Sequence, residues 1–264
     1  MRLYAELAKR SFRRWSTYRA ATIAGIFTNS VFGFIRASVL LAVLAGRPGA
    51  GELDVSEVIT YSFITQGLLS VTDVFGSDQE IAGRVRSGDV VGDLYRPVDF
   101  QAWWFAADVG RAAFQALGRA VPIVLVGALT YGIEAPAGLA GALLFAVSVA
   151  LAVIVGFSLK FLVNLSAFWL LDIRGPNQMM VTAALFFSGI TAPLTLFPDW
   201  LEPTARALPF ACLVQYPVEI FLGKAVGAEA AAVLAIQAAW AVALITLGRV
   251  VLRAATRRVV IQGG

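Results

Sequence analysis

Apolar windows of about 20 residues recur along this chain, and short stretches rich in charge and proline separate them. Each window is long enough to cross a hydrocarbon layer of about 30 Å as a helix. No run of about ten residues alternates apolar with polar positions, so a closed barrel of strands is excluded. The windows predict six spans, at 20–45, 56–75, 103–131, from Leu139 toward Trp169, 179–196 and 228–251. The expected fold class is an all-α integral membrane protein with six transmembrane helices, residues 1–264 forming one domain.

The polar interruptions carry more information than the spans. Arg2–Arg19 places Tyr4, Leu7, Ala8, Phe12, Trp15 and Tyr18 at helical spacing among Lys9, Arg10, Arg13 and Arg14. That pattern suits an amphipathic interfacial helix, and equally a basic anchor before the first span. Span one contains Asn29 and Arg36, both costly in lipid. If spans one and two are antiparallel neighbours, Arg36 reaches the level of Thr65 and Gln66, which allows a hydrogen bond to Gln66; the alternative is that Arg36 snorkels outward. Span two is polar for a lipid-facing helix, with Tyr61, Thr65, Gln66, Ser70 and Asp73, so it is expected to face other helices or a cavity. Gly46–Val55 before it reads as a short outer loop with Arg47, Pro48 and Glu52.

Ser77–Gln101 is the longest polar interruption, 25 residues where simple helix connections need about 2–8. A short helix is expected over Gln79–Arg86, capped by Ser77 or Asp78. Glu80 lies near its positive end, Arg84 and Arg86 near its negative end. Ser87-Gly88 ends it, and Pro97 pushes Arg96 out of helical geometry. Ile81, Val85, Val90, Val91 and Leu94 suit a docking face. Span three carries Asp108 and Arg111 in its first half and Arg119 just past its middle, so its inner end is expected beyond the lipid or against other helices. Lys160 lies about 30 Å along span four and is expected at the headgroups. Five of the ten prolines fall between Pro193 and Pro217. An interior proline costs a helix about 3 kcal/mol, so Phe197–Lys224 predicts a hairpin of short broken helices re-entering from the outer face.

Charge orients the chain. Of 21 Lys and Arg residues, fourteen fall on one set of segments: both end regions, the 77–101 segment and the turn at Arg174. The opposite segments hold only Arg47, Arg206 and Lys224. The excess marks the cytoplasmic side and puts both ends and Ser77–Gln101 there. The chain is 59% hydrophobic and 14% charged, against about 25% charged in a soluble domain. Its positive charge sits at helix ends, which points to lipid and away from nucleic acid. Histidine is absent and Cys212 is the single cysteine, which removes histidine-based catalysis, His-ligated metals and an intrachain disulfide. There is no GxxxxGK[ST] loop to bind ATP and no DxD pair. The first 19 residues lack the apolar core of a cleavable signal.

Several local sequences then fall in a telling order. They are Gly88 with Leu94-Tyr95-Arg96-Pro97, Ala167-Phe168-Trp169, Ser188-Gly189, Pro193-Leu194, Phe197-Pro198, Leu208-Pro209-Phe210, Pro217 and Leu222-Gly223. With the topology, this resembles the permease subunit of a type-2 ABC exporter (ABC-2 type) over nearly the whole chain. The resemblance implies a partner ABC ATPase in two copies, which would bind ATP and Mg, and no cofactor in this chain. It implies a second permease, identical or homologous, in a prokaryotic cytoplasmic membrane. The 77–101 segment would be the coupling helix, with Glu80, Ile81, Arg84, Val85, Asp89, Leu94 and Arg96 as its ATPase-coupling residues. Asn29, Phe32, Arg36, Gln66 and Phe187 are expected to border the translocation path. The rival readings are an ion-gradient carrier, a lipid-linked transferase and a non-transporting scaffold. Carriers often show internal repeats, and no convincing repeat links the halves of this chain.

Overall fold

The computed structural model describes residues 2–46, 53–73, 75–76, 79–136, 138–170 and 172–262. Arg47, Pro48 and Glu52 of the expected outer loop, and the expected caps Ser77 and Asp78, lie outside the described residues. Twelve α-helices follow one another among the described residues: α1 (Arg2–Ser16), α2 (Arg19–Gly46), α3 (Val55–Thr72), α4 (Glu80–Ser87), α5 (Val90–Leu94), α6 (Phe100–Gln115), α7 (Val121–Tyr131), α8 (Gly138–Leu165), α9 (Arg174–Phe187), α10 (Glu202–Ala207), α11 (Gln215–Phe221) and α12 (Ala228–Gln262). A π-helical turn, Ala116–Ala120, joins α6 to α7 as one continuous rod. Among the described residues four rods are long and apolar enough to cross a membrane: Arg19–Gly46, Phe100–Tyr131, Gly138–Phe168 and Ala228–Arg258.

The remaining two expected spans differ from the apolar rods for physical reasons. α3 is the central strut, with 14 of its 18 residues buried by neighbouring helices. Protein covers its hydroxyls and Gln66, which removes the penalty that lipid would impose. Asp54 and Glu57 close a reciprocal capping box at its start, worth about 1 kcal/mol, and the helix stops at Asp73, whose φ of 52° is left-handed. α9 corrects the expectation for 179–196: it starts earlier, at Arg174, and ends at Phe187. Gly189 takes φ 86° there and turns the chain out of the helix.

The proline-rich stretch forms α10 and α11 with two 3-10 turns, as its composition requires. It is well covered: Leu194, Ala205, Ala211, Cys212, Leu213, Val214 and Val218 are almost wholly buried. These residues share one core with Tyr61 and Leu68 of α3, Val155 of α8 and Leu244 of α12. A second core at the other end of the bundle gathers Ile81, Val90, Phe100, Phe157, Phe161, Leu165, Phe168 and Ala255.

α1 lies against α6. Phe12 meets Phe114 edge to face at 5.6 Å, a preferred aromatic geometry. Gly110 makes the approach close, because a Cβ there would stand 2.1 Å from the Ala8 carbonyl oxygen. Gly110→Val is therefore expected to lift α1 off α6 while leaving membrane insertion intact. Trypsin should then cut after Arg10 or Arg13 at least about fivefold faster in detergent. An unchanged cleavage rate would show that this contact does not hold α1.

Candidate functional site

The α4–α5 segment is a bent elbow. Gly88, at φ 84°, lets the chain turn between the two short helices. Arg84 grips both oxygens of Asp93 across that turn, with Nη2 2.9 Å from Oδ1. Hydrogen bonding to Asp93 pushes the Arg84 guanidinium above its ordinary value, although slight burial works the other way. Arg96 adds a contact to Asp93 at 3.3 Å and lies 5.2 Å over the Trp103 ring. Glu80 pairs with Arg14 of α1 at 3.2 Å. The Asn164 side chain of α8 accepts a hydrogen bond at 3.0 Å from the Ala82 amide, one of the amides that the start of α4 leaves free. The elbow is thus tied to α1, α6 and α8.

Its apolar residues do not form one outward face. Ile81 and Val90 turn inward to the second core, and Val85 and Leu94 pack against it. They seat the elbow. The exposed surface includes Glu80, Arg86, Ser87, Gly88, Asp89, Val91, Gly92, Tyr95 and Arg96, with Tyr95 84% exposed. Of the apolar residues expected to dock, only Val91 is on that surface.

Above the elbow lies a charge cluster that the spans conceal. Lys160 was expected at the headgroups; it is instead 5% exposed. Its Nζ lies 3.1 Å from Asp73 and 2.9 Å from Asp108. Asp108 also accepts from Arg111 Nε at 2.7 Å. Arg111 donates further to the Ser70 and Val71 carbonyls, at 3.1 and 3.0 Å, which the end of α3 leaves without helical partners. Two acids and two bases therefore neutralise one another where α3, α6 and α8 meet. A buried ion pair survives only when its geometry offsets the lost hydration, and this network supplies several bonds to each base. The signal in the sequence was the presence of two charges of each sign in or beside apolar spans.

The path residues are dispersed. Arg36 corrects the reading of a bond to Gln66: its Nη2 donates to the Gly189 carbonyl at 3.1 Å, and its guanidinium lies 6.0 Å over the Tyr61 ring. The Tyr61 hydroxyl donates to the same carbonyl at 2.6 Å. Asn29 donates to the Ser70 hydroxyl at 3.1 Å. Gln66 is buried inside the bundle. Phe187 is half-buried and stacks on Phe210 at 6.4 Å. Phe32 is exposed, beside a stripe of Ile23, Phe27, Val31, Ile35 and Val39 along α2. The structure joins Arg36 to the turn that leads into the proline-rich stretch but does not gather the five into one chamber. The hairpin has its own network, in which Arg206 clasps Glu219 at 2.6 and 3.1 Å and Gln215 donates to Glu219 at 2.8 Å.

Residues 48–263 match the family described as ABC-2 family transporter protein. The chain belongs to that family. It is an integral membrane protein and the permease component of an ABC transporter, and the family implies association with an ABC ATPase. No protein of curated function matches it. In this ABC-2 permease the buried tetrad predicts a specific stability pattern. Lys160→Met removes the base that Asp73 and Asp108 share and is expected to cost about 3–5 kcal/mol. Adding Asp73→Asn restores neutrality and should recover most of the fall in the thermal midpoint measured in detergent. Additive losses would show that the charges do not act together.

Proposed function

We propose that this chain is the transmembrane half of an ATP-driven exporter, paired with a second permease and moved by two separate ATPase subunits. ATP and Mg bind on those subunits, and this chain carries no cofactor. α4 and α5 form the coupling element on the cytoplasmic side, where both end regions also lie. α3 and α9 complete six crossings with the four long rods, and the α10–α11 hairpin re-enters from the outer face of a prokaryotic cytoplasmic membrane.

The observation that carries this reading is the bond between Asn164 and the Ala82 amide. It fixes the elbow to a membrane-crossing helix while Asp89, Val91, Gly92 and Tyr95 stay exposed. A part built this way passes a push from a soluble partner into the bundle. ATP closure shifts the permease pair only through different affinities of the ATPases for its states. Contact belongs to the exposed residues together with Arg96. Glu80, Ile81, Arg84, Val85 and Leu94 position them. Arg36 and Tyr61, holding the turn at Gly189, link the route to the hairpin.

Val91→Asp combined with Tyr95→Asp should leave insertion and thermal stability unchanged. ATPase retained on the tagged permease should fall at least about tenfold, as expected when an interface loses its central apolar anchors. Undiminished ATPase retention would refute this docking face. A second experiment tests sidedness. Cys212 is the single cysteine and is buried, so Val91→Cys gives one accessible thiol. A membrane-impermeant maleimide should label it in inverted vesicles and spare it in intact cells. Labelling in intact cells would overturn the orientation.

A further inference from the structure

A recess of about 320 Å³ opens where α1 turns into α2, beside the π-helical turn. Arg14, Trp15, Tyr18, Thr22, Gln115 and Arg119 line it, and no acidic residue does among the described residues. Its volume falls within the range of about 300–1,000 Å³ usual for small-molecule sites.

Arg119 is the unusual member. It belongs to the rod Phe100–Tyr131, and among the described residues it makes no hydrogen bond and no ion pair. Its Nε is buried without a partner. A lone cation inside a membrane helix is costly, and such residues normally face a counter-charge. Its guanidinium lies on the backbone of α2 at Gly25, where a Cβ would overlap Nη2 at 1.4 Å. Gly25 is six residues into α2, about 9 Å, so the charge lies near the α1–α2 corner.

Gln115 supplies the second, independent observation. It is 6% exposed, it lines the recess, and its Oε1 is buried with no donor. The site therefore presents one unanswered cation and one unanswered acceptor. Arg14 adds a second guanidinium, and its contact with Glu80 engages only Nη1 of its five N–H donors. Trp15 and Tyr18 are the residue types that settle at the level of lipid headgroups.

We propose that this recess binds the headgroup of an anionic phospholipid, a phosphate diester that also carries a hydroxyl. Arg119 and Arg14 donate to the phosphate oxygens, and the headgroup hydroxyl donates to Gln115 Oε1. The bound lipid supplies the counter-charge that the protein omits and bridges the interfacial helix α1 to the rod formed by α6 and α7.

The test uses the purified full chain in neutral detergent and follows its thermal midpoint against three probes. These are short-chain phosphatidylglycerol, short-chain phosphatidylcholine and inorganic phosphate. Phosphatidylglycerol should raise the midpoint saturably, in wild type and in Arg249→Gln, which removes an exposed arginine of α12. The phosphatidylglycerol concentration needed should increase at least about tenfold in Arg119→Gln and by less in Arg119→Lys. Phosphatidylcholine should have little effect. Without ligand, Arg119→Gln should unfold no earlier than wild type, because it loses no bond within the protein. An equal, Arg119-dependent response to inorganic phosphate would keep an anion site but overturn the lipid assignment. A wild-type response in Arg119→Gln, no saturable response to any probe, or a lower midpoint of ligand-free Arg119→Gln would overturn the site itself.

Discussion

Charge neutrality at the junction of α3, α6 and α8 is the condition on which that half of the permease rests. Asp73, Asp108, Arg111 and Lys160 are each at most 8% exposed. None could remain ionised in such a place alone, since isolated charge in a low-dielectric interior costs several kcal/mol. Together they set the level of three helices relative to one another. Arg111 also reaches the carbonyls that end α3, so the terminus of the central strut is held by the same network. A shift of one helix past another by a single turn would break several of these bonds together, which favours discrete arrangements over gradual deformation.

The half around the proline-rich stretch obeys a parallel rule with backbone in place of charge. Gly189 turns the chain out of α9, and its carbonyl is answered by Tyr61 and Arg36. The glycine is required because a Cβ there would stand 2.6 Å from the Tyr61 oxygen and 2.4 Å from Gln215 Oε1. Irregular backbone is tolerated in such a setting when side chains cover and satisfy it.

Much of the architecture was legible in the linear pattern because helix length and proline act locally. The short helix at Glu80–Ser87 lies within one residue of its expectation at each end, and the broken stretch after Pro193 falls where prolines gather. Neighbours were harder to read. Depth along a span suggested the headgroups for Lys160 and could not say that two acids enclose it within the bundle. Arg36 finds a carbonyl 153 positions away, which no local rule supplies. Ile81 and Val90 read as a docking face but form a seat, since apolar spacing does not say which side faces the bundle. α3 shows the inverse problem: its polar residues dilute its hydropathy because its surroundings are protein.

The elbow's seat has a consequence for biosynthesis. Ala255, wholly enclosed, belongs to the core that receives Ile81 and Val90, beside Val251 and Leu252. A segment translated early thus waits for one translated late. A ribosome that stalls within α12 leaves earlier helices made and the elbow without its last wall. An unfinished chain therefore leaves Ile81 and Val90 without part of their packing, and the α4–α5 elbow settles fully only once α12 is in place.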